Sequence, residues 1–221
     1  MSLVRRDLAI TLATLALILC WDIAGQDLAA ARAFGSAQGF AWKQHWLTQR
    51  VLHDGGRWLG FIALAALIVN VWRPWWAGPT RSERWRWLGV TLLCLLVVPA
   101  IKQISPTSCP WDLREFGGVA EHVSHWRWAV ADGGPGHCFP SGHAIAAFAF
   151  FSGWFMWRAH QPQAARWWLA AVLLAGALFG LAQLARGAHY PSHTLWSGWL
   201  CWAICVAAVP RQRKAKSAPA N

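Results

Sequence analysis

Apolar residues are concentrated in six stretches of the chain, and segments rich in polar and charged positions separate them. The stretches cover residues 8–25, 58–72, 87–101, 143–157, 167–185 and 194–209. A helix needs about 20 predominantly apolar residues to cross a bilayer, and these stretches approach that length. We therefore predict an all-α integral membrane protein with six transmembrane helices in a bundle, and a single domain over residues 1–221.

The first stretch also has features of a signal peptide, because Arg5 and Arg6 precede its apolar part. No convincing cleavage site with small residues follows it, and five further apolar stretches come later. We interpret this stretch as a helix that remains in the protein.

The composition agrees with a membrane protein. The chain is 56% hydrophobic and only 13% charged, whereas soluble domains carry about 25% charged residues. Disorder is excluded as well, because it requires low hydrophobicity. Tryptophan, with 19 residues, favours membrane interfaces. Eight of these residues lie near one predicted end of the spans and are interpreted as an aromatic belt: Trp72, Trp75, Trp76, Trp85, Trp87, Trp157, Trp167 and Trp168.

Charge is distributed unequally between the two sides of the predicted membrane. If the N-terminus is cytoplasmic, the cytoplasmic segments hold twelve of the 20 Lys and Arg residues and only two acidic residues. The opposite face holds eight basic and seven acidic residues. The positive-inside rule then predicts that both termini are cytoplasmic, and we expect the chain in a bacterial-type inner membrane. The net charge of +11 thus needs no nucleic-acid partner, and the basic tail 211–216 is interpreted as a contact with anionic lipid.

Histidine is distributed the other way. Eight of the nine histidines, all except His160, lie on the predicted outer side or at the outer ends of spans. Polar side chains at membrane depth are costly and usually functional. We therefore expect the active site at the periplasmic face, near the outer ends of spans three to six.

Three segments at this face carry groups suited to phosphate chemistry, namely residues 102–114, 137–143 and 186–193. Lys102 and Arg186 supply fixed positive charge. Ser141 and Gly142 precede a predicted helix, and the N-terminus of a helix binds anions through its free N–H groups.

Two histidines in these segments, His143 and His189, can exchange a proton near neutral pH. The combination predicts a phosphate-binding pocket in which one histidine attacks phosphorus and the other protonates the leaving group. Each feature alone has a simpler interpretation, since a Ser-Gly pair before a helix is commonly a cap. Their convergence at one membrane face favours the pocket.

These motifs resemble the type 2 phosphatidic acid phosphatase superfamily, which includes bacterial lipid phosphate phosphatases and vanadium haloperoxidases. Lys102 with the later Pro110, the run Pro-Ser-Gly-His at 140–143 and the run His-Tyr-Pro-Ser at 189–192 follow the family order. The resemblance covers a catalytic core of about residues 87–209 and implies a helical bundle without a metal or other cofactor.

The resemblance also implies roles for individual residues. His189 becomes the nucleophile that forms a phosphohistidine intermediate, and His143 becomes the general acid. Lys102, Ser141 and Gly142 bind the phosphate. The expected partners are the bilayer and a lipid phosphate or pyrophosphate whose headgroup reaches the outer leaflet.

The chain departs from the family motifs at three positions. Cys109 stands where the first motif has Arg, and Gln183 stands where the third motif has Arg. His193 stands where the third motif has an Asp four residues after the nucleophile. Two guanidinium groups and one carboxylate are therefore absent from their expected places.

Substitutes for these groups lie nearby in the sequence. Arg186, three residues after Gln183, would be displaced by about 60° on a continuing helix and could reach the same phosphate. Arg114 is a candidate for the other guanidinium. Asp112 could orient a catalytic imidazole, or His193 could accept a hydrogen bond from His189.

Cysteines fall into two groups. Cys20, Cys94, Cys201 and Cys205 lie in apolar stretches and are interpreted as core residues. Cys109 and Cys138 both lie in the long outer loop, where an oxidising compartment permits a disulfide. We predict a Cys109–Cys138 disulfide, with two free thiols as the alternative.

Several functional alternatives stay open at this point. The chain could be a non-catalytic relative that binds lipid headgroups. It could be a rhomboid-like intramembrane serine protease with Ser141 as nucleophile and His193 as base. His189 and His193, four residues apart, could also bind zinc, although no Glu lies between them. The sequence does not choose among phosphatidate, phosphatidylglycerol phosphate, undecaprenyl diphosphate and lipid A, and it leaves the phosphoryl acceptor and the oligomeric state open.

Overall fold

The computed structural model describes residues 3–210, and the chain is mostly helical over this range. The N-terminal helices are α1 (Leu3–Ile23) and α2 (Gln26–Arg32), followed by two short antiparallel strands, β1 (Gly35–Ser36) and β2 (Gly39–Phe40). A π-helical segment, Leu47–Asp54, leads directly into α3 (Gly55–Trp72). The remaining helices are α4 (Arg81–Ile104), α5 (Ile145–Phe148), α6 (Phe151–Trp157), α7 (Pro162–Ala185) and α8 (Pro191–Ala207).

Three described helices are long and apolar enough to cross a membrane: Leu47–Trp72, Arg81–Ile104 and Pro162–Ala185. A fourth is added if α1 and α2, which meet at a 70° bend, form one span. The apolar helices of the structure thus agree with an all-α, multi-pass membrane protein. The count of six spans and the cytoplasmic orientation of the termini stay predictions, and the basic tail 211–216 lies outside the described residues.

The fourth predicted span, 143–157, is divided into α5 and α6. The helix is interrupted at Ala149 and Phe150, and the Phe150 carbonyl accepts a hydrogen bond of 2.7 Å from the indole Nε1 of Trp168. Gly153 allows this approach, because a Cβ there would lie 2.3 Å from the same nitrogen. The apolar pattern does not reveal such an interruption, since both short helices remain hydrophobic.

Helix starts follow local sequence signals. Thr80 caps α4 in a capping box, in which its hydroxyl accepts from the Glu83 amide and the Glu83 carboxylate accepts from the Thr80 amide. Pro162 and Pro191 occupy the first positions of α7 and α8, where a missing N–H costs nothing.

The helices pack around a core of aliphatic and aromatic side chains. Its fully buried members include Val71, Cys94, Val98, Cys201 and Cys205. Helix α1 packs on α8, where the indoles of Trp199 and Trp202 donate to Thr11 at 3.0 and 3.1 Å. The site residues described below lie at the end of the bundle where α4 and α7 finish and α5 and α8 begin.

The opposite end is closed by tryptophans and one buried ion pair. Trp157 is 1% exposed and stacks on Trp75 with ring centroids 5.6 Å apart. Arg158 pairs with Asp7 at 2.7 Å, and both side chains are buried. Trp157 and Trp87, which is 5% exposed, therefore lie in the core, so the aromatic-belt interpretation is wrong for these two residues.

Candidate active site

A disulfide joins the first two of the three outer segments. Cys109 and Cys138 are bonded with an S–S distance of 2.05 Å and Cα atoms 5.1 Å apart. The loop between them is also held by Asp132, whose carboxylate accepts from the Ser108 amide at 2.6 Å and from its hydroxyl at 2.8 Å. These contacts fix the start of the long loop beside the segment that precedes α5.

Lys102 reaches the site from the last turn of α4, directly over Gly142. A Cβ at Gly142 would lie 3.3 Å from Lys102 Cδ and 3.6 Å from Cε. The glycine therefore allows the lysine chain to pass close to the backbone. This contact brings together two residues that are 40 positions apart in the sequence.

Ser141 is held against the start of α8. Its amide donates to the His193 carbonyl at 3.1 Å, and the Ser197 hydroxyl donates to the Ser141 carbonyl at 2.9 Å. The Ser141 hydroxyl is fully buried and has no hydrogen-bond partner among residues 3–210. Buried polar groups are normally satisfied, so the unpaired hydroxyl of Ser141 is an exception in the described chain.

His143 is oriented by the π-helical segment. Its Nε2 lies 3.2 Å from the carbonyl oxygen of Leu52, and its ring stacks on His53 with centroids 4.6 Å apart. A carbonyl oxygen only accepts, so Nε2 carries a proton and Nδ1 is the nitrogen free to exchange one.

His189 lies between α7 and α8 in a buried position, with its Nδ1 directed towards His193. The two Nδ1 atoms are 3.4 Å apart, and Cys138 Sγ lies 3.5 Å from the same atom of His189. Burial lowers the pKa of His189 well below its usual value, and the nearby Lys102 charge acts in the same direction. His189 is therefore neutral, and its Nε2 is the nitrogen not engaged with His193.

Arg186 follows α7 and is only 6% exposed. Its guanidinium donates to three neutral oxygens: the Lys43 carbonyl at 3.1 Å, Gln49 Oε1 at 2.6 Å and Gln183 Oε1 at 3.3 Å. Asp54 attracts it through space, but that half-exposed carboxylate pairs with His53 at 2.9 Å. The charge of Arg186 is therefore oriented without a direct ion pair.

Lys102, Gly142, His143, Arg186 and His189 line one cavity of about 550 Å³. Ser141 and His193 are not among its lining residues. No acidic side chain among the described residues lines it. One part is polar and carries three fixed positive charges, and its members are His53, Arg57, Lys102, Gly142, His143, Gln183, Arg186 and His189. The other part is apolar, and its wall includes Phe61 and Leu64 of α3, Leu95 of α4, Ile145 of α5, and Phe150 between α5 and α6.

Comparison with known protein families is consistent with this geometry. The model of the PAP2 superfamily matches residues 84–217. The chain belongs to the PAP2 superfamily. Membership suggests phosphatase activity on phosphate esters. No curated protein and no solved structure matches the chain.

Two residues that the sequence offered as substitutes for PAP2 motif groups lie away from the cavity. Arg114 is exposed and pairs with Glu121 at 3.2 Å. Asp112 caps a short turn, and its carboxylate accepts from the Cys109 amide at 3.2 Å. Burial raises the pKa of Asp112, but no hydrogen bond joins it to a described histidine. Neither residue is among those that line the cavity.

The same geometry bears on the two alternatives of a serine protease and a metal site. A serine protease requires Ser141 Oγ beside the His193 ring, but no hydrogen bond joins them within residues 3–210. Cys109, Cys138 and His189 cluster, yet the disulfide occupies both thiols. The ligand atoms of Asp27, His125 and His193 lie within 4.8 Å of one another, and this group could hold a metal ion. Asp27 already accepts hydrogen bonds from Trp21 and Ser192.

Sequence reasoning missed three residues beside the cavity: Gln49, His53 and Arg57. All three precede the matched region 84–217 and lie in the π-helical segment or the first turn of α3. A weak signal was present, because Arg57 is the one charged residue in the 18-residue α3. For Gln49 the sequence offers no signal, since its partner Arg186 is 137 positions away.

Proposed function

We propose that this PAP2 protein is a phosphatase that hydrolyses a lipid-linked phosphate or diphosphate at the outer face of a bacterial-type inner membrane. The reaction uses a phosphohistidine on His189 and requires no metal. One observation carries the proposal. A single cavity joins a cationic part, which suits a phosphate group, to an apolar part, which suits a lipid chain.

The phosphate is held by the cationic part of the cavity. Lys102 and Arg186 supply charge, and Arg186 can offer paired donors to phosphate oxygens. Ser141 and Gln183 add polar groups, because Ser141 Oγ and Gln183 Nε2 are buried without hydrogen-bond partners in the described chain. Gly142 leaves room for Lys102 to reach the same anion. We add Arg57 to this set because it lines the cavity.

In the first step, His189 Nε2 attacks phosphorus and a P–N bond forms. The bond between phosphorus and the leaving oxygen breaks, and that oxygen takes the Nδ1 proton of His143, which is protonated in the complex because the bound phosphate anion favours the charged imidazole. The dephosphorylated lipid or lipid monophosphate leaves. The neutral state of His189 supports this role, since a protonated imidazole has no lone pair for attack.

In the second step, water attacks the phosphohistidine. Neutral His143 takes a proton from the water, the P–N bond breaks, and inorganic phosphate leaves with His189 restored. His193 assists both steps by accepting a hydrogen bond from His189 Nδ1. This contact keeps the lone pair on Nε2, as a carboxylate would do in a catalytic triad.

The lipid class is supported by the apolar wall of the cavity. Phe61 is 56% exposed on α3 while it also lines the cavity. A headgroup bound near Lys102 can therefore leave its chain along α3 and α4, towards the lipid. A soluble phosphate ester would gain nothing from this surface.

The decisive experiment is phosphate release by purified full-length protein from phosphatidate, phosphatidylglycerol phosphate, undecaprenyl diphosphate and lipid A. Release from at least one lipid in the presence of a chelator, with trapping of acid-labile phosphate on wild-type protein, supports the proposal. Absence of release from every lipid would overturn it in favour of a headgroup-binding protein. Activity that the chelator abolishes would overturn the metal-independent mechanism.

A further inference from the structure

The segment that precedes the family-matched region contributes the supports of two site residues. The Lys43 carbonyl and the Gln49 side chain accept hydrogen bonds from Arg186, while the Leu52 carbonyl contacts His143. All three supports lie within residues 43–52, and the PAP2 match begins only at residue 84. The site therefore depends on a part of the chain outside the matched domain.

We propose that Gln49 is a positioning residue that orients Arg186 towards phosphate while leaving its positive charge unneutralised. This inference rests on the proposed role of Arg186 as a phosphate ligand. The Gln49 contact is the shortest of the three that Arg186 makes, at 2.6 Å against 3.1 and 3.3 Å. It fixes Nη2, whereas the Lys43 carbonyl fixes Nε. Two fixed donor directions define the plane of a guanidinium.

The acceptor at position 49 is a neutral amide oxygen and not a carboxylate. A carboxylate at position 49 would hold Arg186 in the same orientation and bind it more tightly, because charge-assisted hydrogen bonds are the stronger ones. It would also cancel the charge that an arriving phosphate needs. An amide oxygen orients the guanidinium and leaves the net charge of the site unchanged. In this chain Gln183 stands where the family motif has Arg. Two supports of the proposed substitute, Arg186, come from a segment outside the motif region.

The test compares Gln49→Glu with Gln49→Ala, using competitive inhibition by inorganic phosphate and the separation of kcat from KM. We expect Gln49→Ala to raise the inhibition constant of phosphate a few fold. Gln49→Glu should raise it at least about tenfold, because a negative charge a few ångströms from the bound anion is repulsive. The effect should appear in KM and in phosphate affinity more than in kcat.

A merely structural role predicts the reverse order, because Glu retains the acceptor and the shape that Ala removes. Gln44→Glu is the matched control, since it adds the same charge at an exposed position of the same segment. It should leave activity unchanged. When Arg186 is already replaced by Ala, Gln49→Glu should raise the inhibition constant of phosphate much less than it does in wild-type protein. A double-mutant cycle measures this difference.

The outcomes separate this inference from the proposed function. If wild-type protein releases phosphate but Gln49→Glu is no weaker than Gln49→Ala, the positioning role of Gln49 is refuted and the phosphatase proposal stands. If wild-type protein releases no phosphate from any lipid, the phosphatase proposal fails. Equilibrium binding of inorganic phosphate then still ranks the variants, and equal affinity in Gln49→Glu and Gln44→Glu refutes the inference. A folding defect is detected by thermal unfolding before these comparisons are made.

Discussion

The two ends of the helix bundle each bury an arginine, and they hold it in opposite ways. Arg158 pairs with the buried carboxylate of Asp7 at 2.7 Å. Arg186, at the other end, receives only neutral oxygens as direct hydrogen-bond partners in the described structure. Burying either guanidinium carries a desolvation penalty. A carboxylate compensates it for Arg158, and neutral hydrogen-bond acceptors compensate it for Arg186.

A paired arginine has no charge left for a ligand, whereas an oriented and unpaired one does. The end with Arg158 is also filled by stacked tryptophans, and the end with Arg186 borders a cavity of about 550 Å³. The contrast agrees with a role of the first end in stability and, under the proposed function, with binding of the phosphate at the second. Substitutions at the two ends should therefore affect different measurements.

The largest expected effect is on turnover, at His189. Because the covalent route requires its imidazole, His189→Ala should reduce kcat about 10³-fold or more. Phosphate release by the purified variant measures this loss. Thermal stability should change little in comparison. Near-wild-type turnover would refute the assignment of the nucleophile.

At the opposite end, the largest effect should be on stability. Asp7→Asn leaves Arg158 buried without its counter-charge and should lower the free energy of unfolding by about 3 kcal/mol. Activity per folded molecule should be unchanged. Glu115→Gln is a suitable control, because the Glu115–Arg32 pair is exposed and exposed ion pairs contribute little to stability. A loss of activity in folded Asp7→Asn would contradict the conclusion that this end of the bundle affects stability and not turnover.

A smaller effect on activity is expected from Arg186→Lys, which keeps the charge but loses the planar donor pair. We expect kcat/KM to fall about 10²-fold with little change in stability. Gln183→Ala should be milder, since Gln183 supports the guanidinium and adds only one further donor. Steady-state kinetics of both variants decide the ranking, and the reverse order would show that Arg186 does not replace the missing motif arginine.

The smallest effect concerns pH. Burial lowers the pKa of His189 in the folded state, whereas in the unfolded chain it stays near about 6.5. The unfolded state therefore binds the proton first as the pH falls, and stability should decrease below about pH 6.5 by at most about 1.4 kcal/mol per pH unit for this group. Melting temperatures between pH 7 and pH 5 should show a shallower decline in His189→Asn. The same slope in wild-type protein and in His189→Asn would contradict this prediction.

The sequence predicted those parts of the site that short motifs encode. Lys102, Gly142, His143, Arg186 and His189 were all identified from the sequence, and the structure brings them to one cavity. The predicted Cys109–Cys138 pair is also joined by a disulfide. The grouping of these residues could be predicted because helix ends and the order of the motifs constrain where they meet in the fold. Their catalytic and binding roles stay predictions.

What the sequence could not provide depends on long-range packing and on local turns. Arg114 follows the first motif closely, but a short 3₁₀ turn directs it to Glu121 at the surface. The interruption between α5 and α6 depends on an indole from α7. Gln49 lies 137 positions from Arg186 in a segment with no motif of its own. Periodicity and spacing carry no information on such contacts.

The apolar flank of the cavity has a kinetic consequence. Its wall is formed by Phe61 and Leu64 on α3 and by Leu95 on α4, and Phe61 is also exposed at the surface of the bundle. Under the proposed function, a lipid substrate that enters there arrives by lateral diffusion within a leaflet and not from bulk water. The rate should then follow the mole fraction of substrate in the surface, so that dilution with inert lipid or detergent slows the reaction while the amount of substrate per volume stays constant.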